Sequence, residues 1–334
     1  MRRQYKSHIS QRLIQSFQTK PSQYKNEVLQ LSQIYHQRSL ELPLLWKNPG
    51  HRVAYIHYFL HINLIRLVAV LDEATKLGFF SELTHLIDYG SGPGTFHFAA
   101  LEHELKFKKL TFIEQSPEAI QVHKTLLTQL KTETKNARWQ TEHEVNAVVP
   151  PQTLSVFCYS LNELKKFPNW ALDSEALLIV EPSTQTDSRN LQVLREELIQ
   201  NGFHIWAPCP HHQKCPLLIG SKTDWCHMRI HTEQPKELID LERHLPMQNN
   251  TLTYSFLLAK KTPPPLRPAI RVIGDTLYER GKVRQAICRS SKREFMSWLT
   301  KHGEPPTLER GAFIDAPANS TEMGNELRVN PKEK

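Results

Sequence analysis

The sequence has no apolar run approaching the ~18 to 20 residues that cross a bilayer, and its opening Met-Arg-Arg-Gln-Tyr-Lys lacks the short greasy stretch of a secretory signal. A membrane partner is therefore not expected. Acidic residues are missing from the first 26 positions, where six basic ones stand. That composition also suits an organellar transit peptide, while Leu13, Ile14 and Phe17 suit one packed helix face equally well. Cysteine is scarce, five in 334 residues. The odd count and the lack of any oxidising-compartment signature argue against a disulfide framework and leave thiol chemistry or metal ligation. What is present suffices for a core: 39% of residues are apolar, 9% aromatic and 23% charged, which excludes wholesale disorder. At ~100 to 200 residues per domain, about two domains are expected.

The net charge of +8 is unevenly spread: residues 1–66 carry +8 and residues 260–310 carry +7, so the remainder is −7. A mildly acidic centre between two basic flanks predicts that the flanks meet a polyanion, nucleic acid being the obvious one. Ordinary solvated lysines and arginines are the plainer alternative.

Periodicity divides the chain. Ala54 to Leu71 places apolar residues at helical spacing, predicting a long helix within an N-terminal helical region, residues 1–80. Short runs rich in Leu, Ile, Val and Phe then follow at Leu83–Tyr89, Leu110–Glu114, Leu154–Tyr159, Ala176–Val180 and Phe203–Trp206. Helical segments such as Ser116–Leu130 and Ser188–Asn201 separate them, so an α/β, doubly wound parallel sheet is predicted over residues 81–262. A last strand at Thr253–Ala259 looks antiparallel, and the insertion 207–232 before it holds three of the five cysteines. The proline-rich Thr262–Pro268 leads into a small basic β-rich lobe, residues 263–302, with Ile270–Ile273, Lys282–Cys288 and Glu294–Leu299 as strands. The polar remainder, 303–334, is expected to be a disordered tail.

Asp88-Tyr89-Gly90-Ser91-Gly92-Pro93-Gly94 follows the first sheet strand and opens into an apolar helix start. Glycines let the backbone turn sharply and approach a ligand without side-chain interference. A dinucleotide loop would read G-x-G-x-x-G. This one reads G-x-G-x-G behind an acidic residue, which favours the ammonium and sulfonium of S-adenosylmethionine over a pyrophosphate. Glu114 ends the next strand, where a carboxylate can accept both ribose hydroxyls. Cofactor contacts are thus expected from Asp88, Gly90, Gly92, Gly94 and Glu114; a nicotinamide or flavin site and a purely structural turn are the alternatives. Asn162 and Glu163, at the end of a later strand, are the candidate catalytic pair, able to hold an acceptor amino group or line the cofactor pocket. No Asn/Asp-Pro-Pro-aromatic run occurs there, and Cys158 reads as a core thiol.

Cys209, Cys215 and Cys226 follow C-x5-C and C-x10-C spacing, without the C-x2-C knuckle of structural zinc. Prolines follow the first two, a habit of some iron-sulfur loops. Cys288 is the remaining uncommitted candidate for a fourth ligand. A [4Fe-4S] cluster and a zinc ion, the latter with one of His211, His212 or His227, fit the spacing equally; free thiols are a third reading.

Together these segments resemble the mitochondrial small-ribosomal-subunit methyltransferase-like proteins and their bacterial relatives, read as S-adenosylmethionine-dependent rRNA methyltransferases. The likeness runs from Leu42 to His302 through Ala54–Ala74, Asp88–Gly94, Tyr159–Leu164, Val180-Glu181-Pro182, Ala207–Pro216, Asp224–His227, Tyr254–Lys260 and Arg271–Gly274. It implies a class I methyltransferase sheet, a structural [4Fe-4S] cluster on the four named cysteines, and work on small-subunit rRNA during ribosome assembly. A non-catalytic assembly factor on the same fold is the alternative. Arg271, Arg280, Lys282, Arg284 and Arg289 are the expected rRNA phosphate contacts, with ribosomal proteins as further partners. A monomer in a bacterial cytoplasm is expected, with the mitochondrial matrix as the other location.

Overall fold

A computed structural model describes residues 4–16, 20–37, 42–141, 149–164, 166–265 and 269–331. The chain forms two compact units, one of residues 1–76, 80–177 and 230–252, the other of 77–79, 178–229 and 253–334.

In the first unit, the strands β1 (Gln4–Tyr5), β2 (His85–Tyr89), β3 (Lys109–Ile113), β4 (Ala137–Gln140) and β5 (Thr153–Cys158) accompany a helical N-terminal region. The order β5-β2-β3-β4 is wholly parallel. Its strands bury Leu86, Phe112, Ile113, Leu154, Val156 and Phe157, as strands covered on both faces must. The covering helices include α1 (His8–Ser16), α2 (Lys25–Gln37), α3 (Leu42–Lys47), α4 (Pro49–Ala54), α5 (Leu60–Lys76), α6 (Thr95–Glu102) and α7 (Pro117–Gln129). Side-chain caps start two of them: Asn48 accepts from the Gly50 and His51 amides on α4, and Ser116 from Ala119 on α7. Leu13 and Ile14 are buried on α1, while Phe17 lies outside the described residues.

The long helix expected from Ala54 onward is present, running from Pro49 to Lys76 with a π-helical turn, Tyr55–Phe59, between α4 and α5. Residues Pro49–Lys76 include a window of mean hydropathy 1.5, long enough to cross a membrane, but 67% of that window is buried within the protein, as befits a core helix. The four-residue strand β4 was not anticipated; its pattern Ala-Arg-Trp-Gln is too short and polar to register as an apolar run.

The second unit holds β6 (Ala176–Glu181) and β9 (Thr251–Lys260), except for the first two residues of each, and β7 (His204–Ala207). β9 neighbours both β6 and β7 and is antiparallel to β7. A parallel order turning on β2 and an antiparallel final strand are the marks of the class I methyltransferase sheet, so the expected fold class is the one observed. α8 (Gln185–Gln200) is capped by Thr184, which accepts from the Asp187 amide. The insertion is less irregular than expected, containing α9 (Pro216–Gly220) and β8 (Met228–Thr232).

The basic lobe is a separate six-stranded sheet, β13-β10-β11-β12-β15-β14. β10 (Ile270–Glu279), β11 (Lys282–Cys288) and β12 (Glu294–Leu299) form its antiparallel meander. The segment expected to be a disordered tail supplies β13 (Phe313–Ile314), β14 (Ser320–Met323) and β15 (Glu326–Val329), so that expectation is corrected. Leu327 joins Ile270, Ile287 and Met296 in the lobe's core. One apolar anchor per short strand suffices when the strand completes an existing sheet, and such isolated anchors are easily read as polar coil.

Candidate functional site

β2 is the turning point of the parallel order, with β3 on one side and β5 on the other. Loops leaving such strands splay apart and open the crevice in which α/β sheets hold ligands. The glycine loop leaves β2 at that point. Gly90 and Gly94 adopt φ of +65° and +84°, and their surroundings leave no room for a side chain. A Cβ on Gly90 would lie 2.6 Å from the Cβ of Ser160, and one on Gly94 would lie 2.2 Å from the His123 ring. Ser160 Oγ donates to the Tyr89 carbonyl at 2.8 Å. The structure therefore brings the loop Asp88–Gly94 against the turn after β5.

Glu114, just beyond β3, accepts from the Gly92 amide at 2.8 Å with Oε2 and from the Ser116 amide at 2.9 Å with Oε1. It is thereby fixed against the loop. Asp88 is 1% exposed, and its Oδ2 has no hydrogen-bond partner among the described residues. Burial, and then the neighbouring Glu114 charge, push its carboxyl up to about 8. A buried acceptor without a donor is costly. A cationic or N–H-bearing ligand in the crevice would relieve it, so these residues fit S-adenosylmethionine. Asn162 and Glu163 stand exposed on the short helical turn Leu161–Glu163. Cys158 is half-buried rather than a core thiol, and its charge would act on Tyr55.

Sequence reasoning missed what the N-terminal helices contribute here. Trp46 lies over the loop, its Cζ2 3.7 Å from where a Gly92 Cβ would be, and its ring packs at a tilt against Tyr55, centroids 4.9 Å apart. The Tyr55 hydroxyl bonds to Thr95, the first residue of α6, and to Asn63. Behind the loop, Trp139 Nε1 donates to His123 Nδ1 at 3.2 Å, and His123 Nε2 lies 3.0 Å from His97 Nδ1. Since an indole only donates, His123 carries its proton on Nε2 and gives it to His97. Burial lowers the pKa of both, that of His97 to about 4, so the pair is neutral. His123 was legible as a polar interruption among Ala119, Leu126 and Leu127 on the inner face of α7.

A second constellation lies wholly within the other unit. Cys209, Cys215, Cys226 and Cys288 line one cavity, about 300 Å³ when its mouth to solvent is included, together with Arg195 and His211. His211 Nε2 is 3.3 Å from Cys288 Sγ. Burial, and then the other cysteines, raise the pKa of Cys215, push that of Cys226 up to about 12, and hold that of Cys288 well above the usual thiol range. Thiols crowded so that one's charge opposes its neighbours' ionisation suit a cationic centre that would accept them as thiolates. No three His, Cys, Asp or Glu side chains among the described residues stand in position to share a single metal ion. What the four cysteines share is the wall of one cavity.

The five residues expected to grip phosphates do not share a face. Arg271 is 2% exposed, 4.3 Å over the Phe313 ring, with Nη2 2.9 Å from Met228 Sδ. It is a core residue, which corrects its assignment to RNA. Lys282 pairs with Glu326 at 2.7 Å, Arg284 with Glu279, and Arg289 with Glu294 at 2.8 Å and Glu322 at 2.7 Å. Two of those partners, Glu322 and Glu326, come from the segment expected to be disordered, which is why the local charge count misled. Arg280 alone of the five is exposed, at the turn between β10 and β11.

Comparison with known proteins gives a family. The one described as mitochondrial small ribosomal subunit Rsm22 matches residues 50–321, most of the chain. The chain belongs to that family. No curated protein sequence matches it. Among solved structures, the Rsm22-family chain is similar to a proposed RNA methyltransferase from Pyrococcus horikoshii at 15% identity and a TM-score of 0.36, over 64% of this chain and 86% of that one. It is also similar to a precorrin-6y C5,15-methyltransferase from Geobacter metallireducens, at 12% identity and a TM-score of 0.35 over 57% and 86% of the two chains. An rRNA methylase from Streptococcus thermophilus gives 15% identity and a TM-score of 0.30 over 56% and 94%. The fold class rests on the strand order.

Proposed function

We propose that the protein binds S-adenosylmethionine at the crevice between β2 and β5 and transfers its methyl group to rRNA of a small ribosomal subunit. The observation that carries this reading is Asp88, a buried carboxylate with an unpartnered oxygen at the base of a glycine loop. The cofactor supplies an already activated methyl group, so the chain's own task is to bind, orient and exclude water. In this reading Asp88 meets the cofactor's ammonium, and Glu114 exchanges an amide contact for the ribose hydroxyls. Trp46 and Tyr55 roof the loop against solvent, while Asn162 and Glu163 face the acceptor. The family's description supports small-subunit rRNA as partner and a mitochondrial setting; it lends nothing to the bacterial cytoplasm.

The four cysteines hold a [4Fe-4S] cluster in this reading, supported by their common cavity. Zinc, which draws its sulfurs in at ~2.3 Å, is less favoured. A second reading, a non-catalytic assembly factor, is favoured by the exposed Leu161–Glu163 turn, which has no proline-aromatic pair to clasp a base.

The two readings separate in a methyl-transfer assay with labelled cofactor on immature small subunits. Wild type is expected to label rRNA, and Gly92→Asp, which sets a third carboxylate beside Asp88 and Glu114, to reduce labelling at least about a hundredfold. Cofactor binding by the wild type without any labelling would establish the assembly factor instead.

A further inference from the structure

Arg195 lies on α8 in line with Leu191, Leu194 and Leu198, the buried stripe of that helix, and its own side chain is 0% exposed. An arginine on an apolar stripe is rare because an uncompensated buried charge costs several kcal/mol. Its surroundings say where it points. Nη2 donates to the His211 carbonyl at 2.5 Å, Nη1 pairs with Glu196, and the guanidinium also bonds to Cys209 and lies within electrostatic reach of Cys215. Glu196 reaches back to the Cys215 amide at 3.3 Å. The cation is thus built into the wall of the cysteine cavity, held at both ends of its fork.

With all four thiols protonated, the anion paired with Arg195 is Glu196, whose side chain is 29% exposed. With the thiols ionised around an inorganic centre, the wall faces a net negative group. The buried cation is then matched. It also favours whichever state of that group carries more negative charge, because charges a few ångströms apart in a low-dielectric interior interact strongly.

We propose that Arg195 is a positioning residue for the inorganic centre, a fixed counter-charge that lets the cavity accept an anionic cluster and favours that cluster's one-electron-reduced form when an external low-potential reductant such as dithionite supplies the electron. This rests on the cluster reading above. Glu196 works against it, diluting the positive field.

The test uses full-length protein prepared without oxygen, as wild type, Arg195→Lys, Arg195→Met and Glu196→Gln. Iron and sulfide per chain are measured together with an optical reductive titration. Arg195→Met is expected to shift the reduction equilibrium at least about tenfold toward the oxidised form, or to lose iron while its far-ultraviolet circular dichroism is kept. Arg195→Lys restores most of the wild-type behaviour. Glu196→Gln shifts the equilibrium the opposite way, and it decides the matter should Arg195→Met not fold. Iron-loaded variants whose midpoints all coincide with wild type overturn the role of Arg195 alone. A wild type devoid of iron overturns the cluster, and this inference with it.

Discussion

Asp88 titrates at about 8 in the folded protein against 3.8 ordinarily, because burial and Glu114 oppose its charge. Its contribution to stability is therefore fully present below about 4 and is lost as pH rises through about 8. A cationic ligand reverses that loss by meeting the ionised carboxylate. Binding of S-adenosylhomocysteine, which keeps the ammonium, should tighten by up to about tenfold per unit between pH 6 and 8. Calorimetric titration of Asp88→Asn should show weaker binding with no such slope. Asp88, the glycines and Glu114 were legible in the sequence because a strand, a tight turn and a helix start are contiguous there. Trp46, Tyr55 and Arg195 were not, since their roles arise from packing between segments far apart in sequence. Arg195 had left one sign, a charge in register with three buried leucines.

At the scale of elements, the alternation of strand and helix gave the parallel sheet, and the antiparallel last strand was readable from its position. The π turn at Tyr55–Phe59 was not, because it inserts a residue without disturbing apolar content. The lobe misled most. Its strands were visible, but β14 and β15 carry so few apolar residues that their acids were left out of the charge count. Arg271 shows the consequence. Packed between Phe256 and Phe313, it should behave as core: Arg271→Ala should lower unfolding free energy by about 3 kcal/mol or more in a denaturant titration. A phosphate contact would behave differently, leaving stability intact and lowering the salt slope of RNA binding by about one.

Across the whole molecule, two sites recur, each contained in its own compact unit. One is a glycine-lined crevice with an unsatisfied carboxylate; the other is a cavity walled by four cysteines and a buried arginine. The sequence supplied both sets of residues, but it left the character of the second open, since spacing alone suits zinc as well as iron. The family to which the chain belongs is described as mitochondrial small ribosomal subunit Rsm22, and no catalytic role follows from that description itself. The account is most directly tested by metal and acid-labile sulfide analysis of the full chain purified without oxygen, beside Cys288→Ser. About four iron and four sulfide per wild-type chain are predicted, with most of both lost in the variant. One zinc per chain, or neither metal nor sulfide in a folded wild type, would contradict it.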